Sequence, residues 1–467
     1  MTTQPITRTA CITLPRVALL QQLVEAKRIV DAKATSPILR SICLTILGGE
    51  VAIVATDLRL TVLGRVVGSA QTGDAGLSCC LDAKKLHDVV KAMPGDVTLT
   101  IEEKTTTERL EGRASKRWCE DCGEEVAIRQ GYNPEFCAKK TCGATMTARG
   151  GRLVDFKIVI AVANSSTLSS GKSRFNLTTL RGADFPKMLS AAALASLTWQ
   201  TVPAATLIDL IDGTLFSASQ DTTREHMNAC LLELLPSADT VDTLSKLRMV
   251  STDGHRLSRI DRDGVLALPG EADKYTGFTG ILIPRDGVVE LRKLCGGKGL
   301  CSVEVAIAKN VLYFRVAGQT LTTYSIVLCA AQFPPYTQVI PRDAQRSLVF
   351  DVASMAATVK RLMLASSEKT VYAVAFDFVG GKLTLRTDNP DVGNAEEDVD
   401  LQGADGDTDD FKFGISLRYL GEALEHVATS TAKLHFNGLL DPMLLHGVGD
   451  GSSRDGGDVF VIMPCRL

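Results

Sequence analysis

The chain of 467 residues repeats itself three times, and this repetition limits its architecture more than any single motif does. The segments "VAIVATDLRL" (51–60), "LRMVSTDGHRL" (247–257) and "LTLRTDNPD" (383–391) are each an apolar run, alternating most clearly in the third, that reaches Thr-Asp. Alternation predicts a half-buried strand, and Thr-Asp predicts its turn. A second set follows: "LDAKKLHDVVKAM" (81–93), "IPRDGVVELRKLC" (283–295) and "ISLRYLGEALEHV" (415–427). Aligned without gaps, Leu86, Val288 and Leu420 coincide, then Val89, Leu291 and Ala423, then Met93, Cys295 and Val427. Offsets of three and four place them on one face of a helix. A third set precedes the Thr-Asp strands: "LPRVALLQQLVEAKRIV" (14–30), "VPAATLIDLIDGTLFSAS" (202–219) and "FDVASMAATVKRLMLASS" (350–367). Each third of the chain therefore holds two helix-plus-strand units, which predicts an α+β protein of three tandem domains.

The spacing is uneven. Asp57 and Asp253 are 196 residues apart, Asp253 and Asp388 only 135, so the first third carries an excess of 61 residues. The expected domains are 1–190, with an insertion at about 105–155, then 191–342 and 343–467. Within the insertion, Cys119, Cys122, Cys137 and Cys142 form a CxxC pair and a CxxxxC pair. Four thiolates in two pairs suit tetrahedral, structural Zn2+, and a segment of about 50 residues has too small a core to fold without such a staple. A redox pair or unligated thiols are the alternatives. The other nine of the thirteen cysteines are scattered or form the adjacent pair Cys79-Cys80. With no export signal in "MTTQPITRTACITLPRVALL", they are expected to be reduced and mostly buried. No run approaches ~18 apolar residues, so no membrane span is expected, and the location read from these features is cytoplasmic.

Several longer stretches resemble one family. "SPILRSICLTI" (36–46), "GKSRFNLTTLRGADFP" (171–186), "STDGHRL" (251–257), "FPPYTQVIP" (333–341), "NPDVGNAEED" (389–398) and "VFVIMPCRL" (459–467) are similar to the bacterial sliding clamp, the beta subunit of DNA polymerase III. The similarity covers nearly the whole chain outside the insertion, which the family lacks. It implies a non-catalytic processivity factor in DNA replication: a head-to-tail homodimeric ring with strands outside and helices lining a hole for duplex DNA. A heterologous interface that closes a ring is required. By the same resemblance that interface pairs Phe175 and Leu177 with the region of Leu364. From the residues alone, intradomain core is the competing reading of these three.

The formal net charge is −3, so DNA must be met by local patches rather than by a basic surface. The helical segments sum to +2, taking the one that starts at residue 350 as far as Lys369. Lys33, Lys84, Lys85 and Arg285 are candidates for the inner wall, together with Lys27, Arg28, Lys91, Arg292, Lys293, Lys360 and Arg361. Arg224 matches a family loop that reaches toward DNA. Phosphate contacts of this kind carry no sequence preference. A solvated helix face is the alternative for each.

"VSTDGHRLSRIDR" (250–262) concentrates Asp253, His255, Arg256 and Arg259. Catalysis would need a nucleophile or further metal ligands, and no HExxH, GxSxG or P-loop spacing accompanies it. The resemblance instead makes Thr252, Gly254, His255, Arg256 and Leu257 one side of a hydrophobic peptide groove, extended by Met227, Pro334 and Val339. Tyr419, Leu440, Pro442, Ile462, Met463, Pro464, Cys465, Arg466 and Leu467 would form the other side. Cys465 stands where the family usually has Met. The partners implied are the polymerase III catalytic subunit, the clamp loader and other proteins with clamp-binding motifs. A zinc-containing nucleic-acid-modifying enzyme is the reading from another class, and a repeat-built scaffold unrelated to DNA is a third.

Overall fold

The computed structural model describes residues 4–113, 116–118, 125–127, 147–149, 153–186, 191–235, 245–264, 266–268, 279–297, 301–316, 322–342, 344–367, 372–406, 410–449 and 457–466. The chain divides into two compact units, Met1–Leu58 with Val62–Lys187, and Arg59–Thr61 with Met188–Leu467.

The first unit holds helices α1 (Arg16–Ile29) and α2 (Ala83–Ala92), which pack on each other. Helix α1 buries Leu19, Leu23, Ala26 and Ile29, the stripe its spacing predicts. Helix α2 starts at Asp82, whose carboxylate accepts from Lys85 N at 2.9 Å and satisfies one otherwise orphaned N–H. Its inward face is Leu86, Val90 and Met93, while Val89 is only half-buried. One sheet runs in the order Ser173–Thr178, Leu153–Ser170, Val97–Arg113, Gln4–Leu14, Ser69–Gly73. A second contains Leu180–Arg181, Ser78–Asp82, Ser41–Leu47, Glu50–Thr56 and Leu60–Val67.

The insertion begins as an extension of this fold. The strands Val97–Arg113 and Leu153–Ser170 stay paired from Thr98 opposite Ser169 out to Arg113 opposite Leu153, with one irregularity between Val159 and Ala161. Beyond them Lys116–Trp118 pairs with both Glu125–Ala127 and Thr147–Arg149. The paired strands thus lead into and out of the added segment, which extends a strand connection. Cys119, Cys122, Cys137 and Cys142 lie outside the described residues.

The second unit holds α3 (Ala191–Ala195), α4 (Ala204–Leu215), α5 (Arg285–Cys295), α6 (Val352–Met363) and α7 (Leu417–Leu424). All but the short α3 coincide with the helices expected from the repeats. Helices α4 and α5 pack together, as do α6 and α7. Gly213 lets α4 approach the strand Arg256–Asp263, because a Cβ there would lie 2.6 Å from Ile260 Cγ1. Nine strands form one continuous sheet: Thr279–Pro284, Ala229–Leu235, Lys246–Thr252, Arg256–Asp263, Val459–Ile462, Met443–Val448, Thr431–Phe436, Arg346–Asp351, Leu401–Asp405. Strand Arg256–Asp263 and the C-terminal strand meet in the middle, Arg256 opposite Ile462 and Arg259 opposite Val459. A four-stranded sheet holds Gly393–Val399, Lys382–Asn389, Ala373–Val379 and Phe411–Ser416. Although aromatics are scarce, five phenylalanines collect here: Phe376 on Phe413 at 5.0 Å, Phe378 on Phe411 at 4.9 Å, and Phe436 edge-on to Phe411 at 5.0 Å.

Candidate functional site

The Thr-Asp-Gly-His turn joins strands Lys246–Thr252 and Arg256–Asp263, and its polar side chains are used internally. Thr252 Oγ1 donates to Arg256 O at 2.7 Å and accepts from Gly254 N at 3.1 Å. Asp253 Oδ1 accepts from His255 N at 2.9 Å and Arg256 N at 3.1 Å, while its Oδ2 accepts from Arg256 Nε at 3.0 Å. Gly254 sits at φ +90°, a region closed to most L-residues, and a Cβ there would lie 3.9 Å from Met227 Sδ. Asp253 is thus a turn-forming carboxylate, not a base held ready for chemistry.

Arg256 is the centre of the site. Its side chain is 7% exposed. Besides Asp253 it donates to the Glu422 carboxylate and, at 2.6 Å, to Phe216 O. Its guanidinium lies 4.5 Å from the ring centre of Tyr419 and 5.4 Å from that of Phe216. Phe216 in turn stacks on His426 at 4.5 Å and contacts Phe460. One arginine therefore ties the turn to the end of α4 and to α7. Arg262 adds a second tie, donating to Asp458 at 2.6 and 3.1 Å just ahead of the C-terminal strand.

The C-terminal tail follows the turn. Met463 N donates to His255 O and Cys465 N donates to Gly414 O, each at 2.9 Å. Met463, Pro464 and Cys465 are half-buried and Arg466 is exposed, whereas Leu467 lies outside the described residues. Burial holds the Cys465 thiol above its ordinary pKa. Ile462 and Leu257, expected at the surface of a groove, are fully buried. Leu440, 73% exposed, and half-buried Pro442 lead into strand Met443–Val448, whose Met443 faces Ile462.

The "FPPYTQV" wall hangs on residues that the sequence did not mark. Phe333 and Tyr336 enter the core with Leu257, Val461 and Leu444, which leaves Pro334 half-buried and Val339 exposed. Tyr336 donates its hydroxyl to Glu233 at 2.6 Å and accepts from Arg248 at 3.3 Å. Arg248 grips Asp261 with two bonds of 2.7 Å. Burial and the Glu233 carboxylate raise the phenol's pKa and keep it a neutral donor. Arg248 and Asp261 alternate with apolar neighbours, so they read as ordinary outward strand residues. Only their cross-strand pairing could have revealed them.

The other expected residues are dispersed. Phe175, on the edge strand Ser173–Thr178, is 39% exposed, Leu177 is half-buried, and Leu364 at the end of α6 is 82% exposed. None of the three is core. Lys84 and Lys85 are exposed on α2. Lys33 is exposed but lies past the end of α1, so it is not a helix-wall residue. Arg224 forms a 3.6 Å ion pair with Asp221. Arg285 opens α5 half-buried, and its Nε has no hydrogen-bond partner. Among the remaining wall candidates Arg28, Arg292, Lys293, Lys360 and Arg361 all have acidic partners within the chain, which lowers the charge they present. Among the described residues, no group of three or more His, Cys, Asp or Glu is arranged to hold a metal, and no helix is long and apolar enough to cross a membrane.

Comparison with known proteins bears on this arrangement. Residues 11–117 match the family model for the DNA polymerase III beta subunit N-terminal domain, residues 201–335 the central domain, and residues 337–466 the C-terminal domain. A beta sliding clamp of Caulobacter vibrioides is 28% identical over 458 residues, covering 98% of this chain and 100% of the relative. One from Pseudomonas aeruginosa is 24% identical, covering 97% and 99%. Among solved structures, the Caulobacter crescentus beta sliding clamp aligns at TM-score 0.71 with 24% identity over 98% of this chain and 100% of that one. The DNA polymerase III beta subunit of Pseudomonas aeruginosa aligns at 0.70 with 23% identity over the same shares. The enzyme alternative finds no support among them. With three successive domain models matched in order along one chain, and a clamp fold to go with them, the protein belongs to the family of the DNA polymerase III beta subunit, the beta sliding clamp.

Proposed function

We propose that two copies of this chain close head to tail around duplex DNA and tether the polymerase III catalytic subunit and other clamp-binding proteins through the groove at Arg256. The clamp loader would open and close the ring. The chain would act by holding, with no catalytic step, in the cytoplasm. The observation that carries the tethering is the joining of strand Arg256–Asp263 to the C-terminal strand. It runs the exposed turn at Gly254 and His255 alongside the C-terminal residues, with Met463 N on His255 O, and Tyr419 lies against Arg256. Such a surface suits a short, partly hydrophobic peptide: apolar contacts give about 25 cal/mol per Å2 buried, and a few polar groups fix direction. Ring closure is supported by two strands that end their sheets among the described residues, Ser173–Thr178 and Gly393–Val399, and by exposed Phe175 and Leu364. Lys84, Lys85 and Lys33 would attract phosphates without reading sequence.

Removing residues 463–467 tests the groove. Loss of binding to a clamp-motif peptide with the dimer retained is expected, and unchanged affinity in a titration would refute the assignment. For the insertion we infer one structural Zn2+ on Cys119, Cys122, Cys137 and Cys142, a set that leaves no open position for catalysis. Metal analysis should find about one zinc per chain, lost in a Cys119→Ser, Cys122→Ser variant that still dimerises. Protein purified without chelator and free of zinc would refute it.

A further inference from the structure

A pair of cysteines in the first unit is placed for chemistry that tethering does not use. Strands Ser41–Leu47 and Ser78–Asp82 run antiparallel with Cys43 directly opposite Cys80. Ile46 N donates to Leu77 O at 3.0 Å, which makes that opposed pair a hydrogen-bonded one. Pair types alternate residue by residue along an antiparallel ladder, so 44 with 79 is hydrogen-bonded and 43 with 80 is not. In a non-hydrogen-bonded pair the Cα atoms lie about 4.5 Å apart and the side chains approach each other, inside the range of about 4.4–6.8 Å that a disulfide spans. Cys79, one residue away, points to the opposite face and is fully buried.

Access comes from one side. A cavity of about 330 Å3 opens at Cys80, lined also by Ser41, Asp82, Lys85, Asn176 and Leu180. It is large enough for a small oxidant beside Cys80, and Cys43, across the strand pair and outside the cavity lining, is 6% exposed. The two thiols divide the work. The neighbouring Cys80 side chain holds Cys43 below its ordinary pKa against the effect of burial, whereas Cys80, whose thiol donates to Arg181 O at 3.7 Å, is pushed up by Cys43 and by burial.

We propose that Cys43 and Cys80 form a peroxide-responsive dithiol that closes to a reversible intramolecular disulfide. The Cys43 thiolate attacks one oxygen of hydrogen peroxide, breaks the O–O bond and becomes a sulfenic acid, and the released hydroxide takes a proton to give water. Cys80 sulfur then attacks Cys43 sulfur and displaces the hydroxyl, which leaves as a second water with the Cys80 proton. Two thiols are oxidised and one peroxide is reduced to two waters. The bridge would fasten the strand that carries the α2 cap, Asp82, to its neighbour.

The test treats the full-length protein with hydrogen peroxide, blocks remaining thiols, digests it and maps crosslinks by mass spectrometry. The expected product joins the Cys43 and Cys80 peptides with loss of two hydrogens and returns to dithiol with a thiol reductant. Cys79→Ser should leave the crosslink intact, and Cys43→Ser or Cys80→Ser should abolish it. A Cys79–Cys80 crosslink would overturn the proposal. So would wild-type protein in which exposed Cys301 oxidises while Cys43 and Cys80 both remain free to be alkylated. If a serine variant does not fold, the wild-type map decides alone.

Discussion

Replacing Arg256 by alanine should cost about 3–4 kcal/mol, near the low end for breaking a buried ion pair. The guanidinium makes charge-assisted bonds to Asp253 and Glu422 and a third bond to Phe216 O, and it lies over Tyr419. Such bonds are worth about 1.5–3 kcal/mol each, and a cation over an aromatic face adds about 0.5–2. The plain sum overshoots, because the Asp253 and Glu422 side chains are 17% and 31% exposed and water can replace part of what they lose. Asp253 also keeps its backbone donors. Lysine should recover less than half of the loss, since a point charge cannot fork to three acceptors. Urea denaturation at fixed protein concentration measures the cost. A double-mutant cycle with Glu422→Ala should show a coupling of at least about 1 kcal/mol, and clamp-motif peptide affinity should fall at least about tenfold, or 1.4 kcal/mol. A loss under about 1 kcal/mol, or additivity within about 0.5 kcal/mol, would refute the central role given to this side chain.

Tyr336→Phe should cost about 1–3 kcal/mol, because Glu233 and Arg248 lose a buried partner. Peptide binding should weaken with it, and an unchanged urea midpoint would contradict this. Phe175→Asp with Leu364→Asp should give folded monomers in sedimentation, since both positions are exposed in one chain and charge would block an apolar contact between two. The link between Arg361 and Glu397, with Nε to Oε2 at 3.0 Å, should make stability depend on acid pH. Arg361 and then Thr358 hold the Glu397 carboxyl below its usual value. Its contribution is therefore present above the unfolded value of about 4.3 and lost as pH falls through the lower folded value. Arg361→Gln should be less stable than the parent at neutral pH, with the difference shrinking below about pH 4, as read from urea midpoints.

The repeated helices were legible because their period is local; the Thr-Asp strands were legible as strands, but Glu50–Thr56 and Lys246–Thr252 are buried on both faces and only Lys382–Asn389 is half-buried as expected. Val288, Leu291 and Cys295 fall on the buried face of α5 as their spacing requires. On α2 the buried position shifts by one, from Val89 to Val90. The turn chemistry of Asp253 and Gly254 was legible for the same reason. What the sequence withheld is set by register. Glu422 lies 166 positions from Arg256, and Glu233 lies 103 from Tyr336. Their roles arise only when the fold brings α7 against the turn at Arg256 and Tyr336 against strand Ala229–Leu235. Charge was misleading for a related cause: the wall candidates Arg292, Lys293 and Arg361 are matched by acids at Asp212, Glu290 and Glu397. The pairing of Cys43 with Cys80 is likewise a fact of register, invisible in a string that shows Cys79 next to Cys80.

Retention on DNA tests the clamp most directly. Purified protein loaded by its clamp loader onto closed circular duplex should stay bound in high salt, where phosphate contacts are screened. It should run off when the circle is cut once. Loss from the closed circle on raising salt, or retention on the linear product, would contradict a ring held by topology.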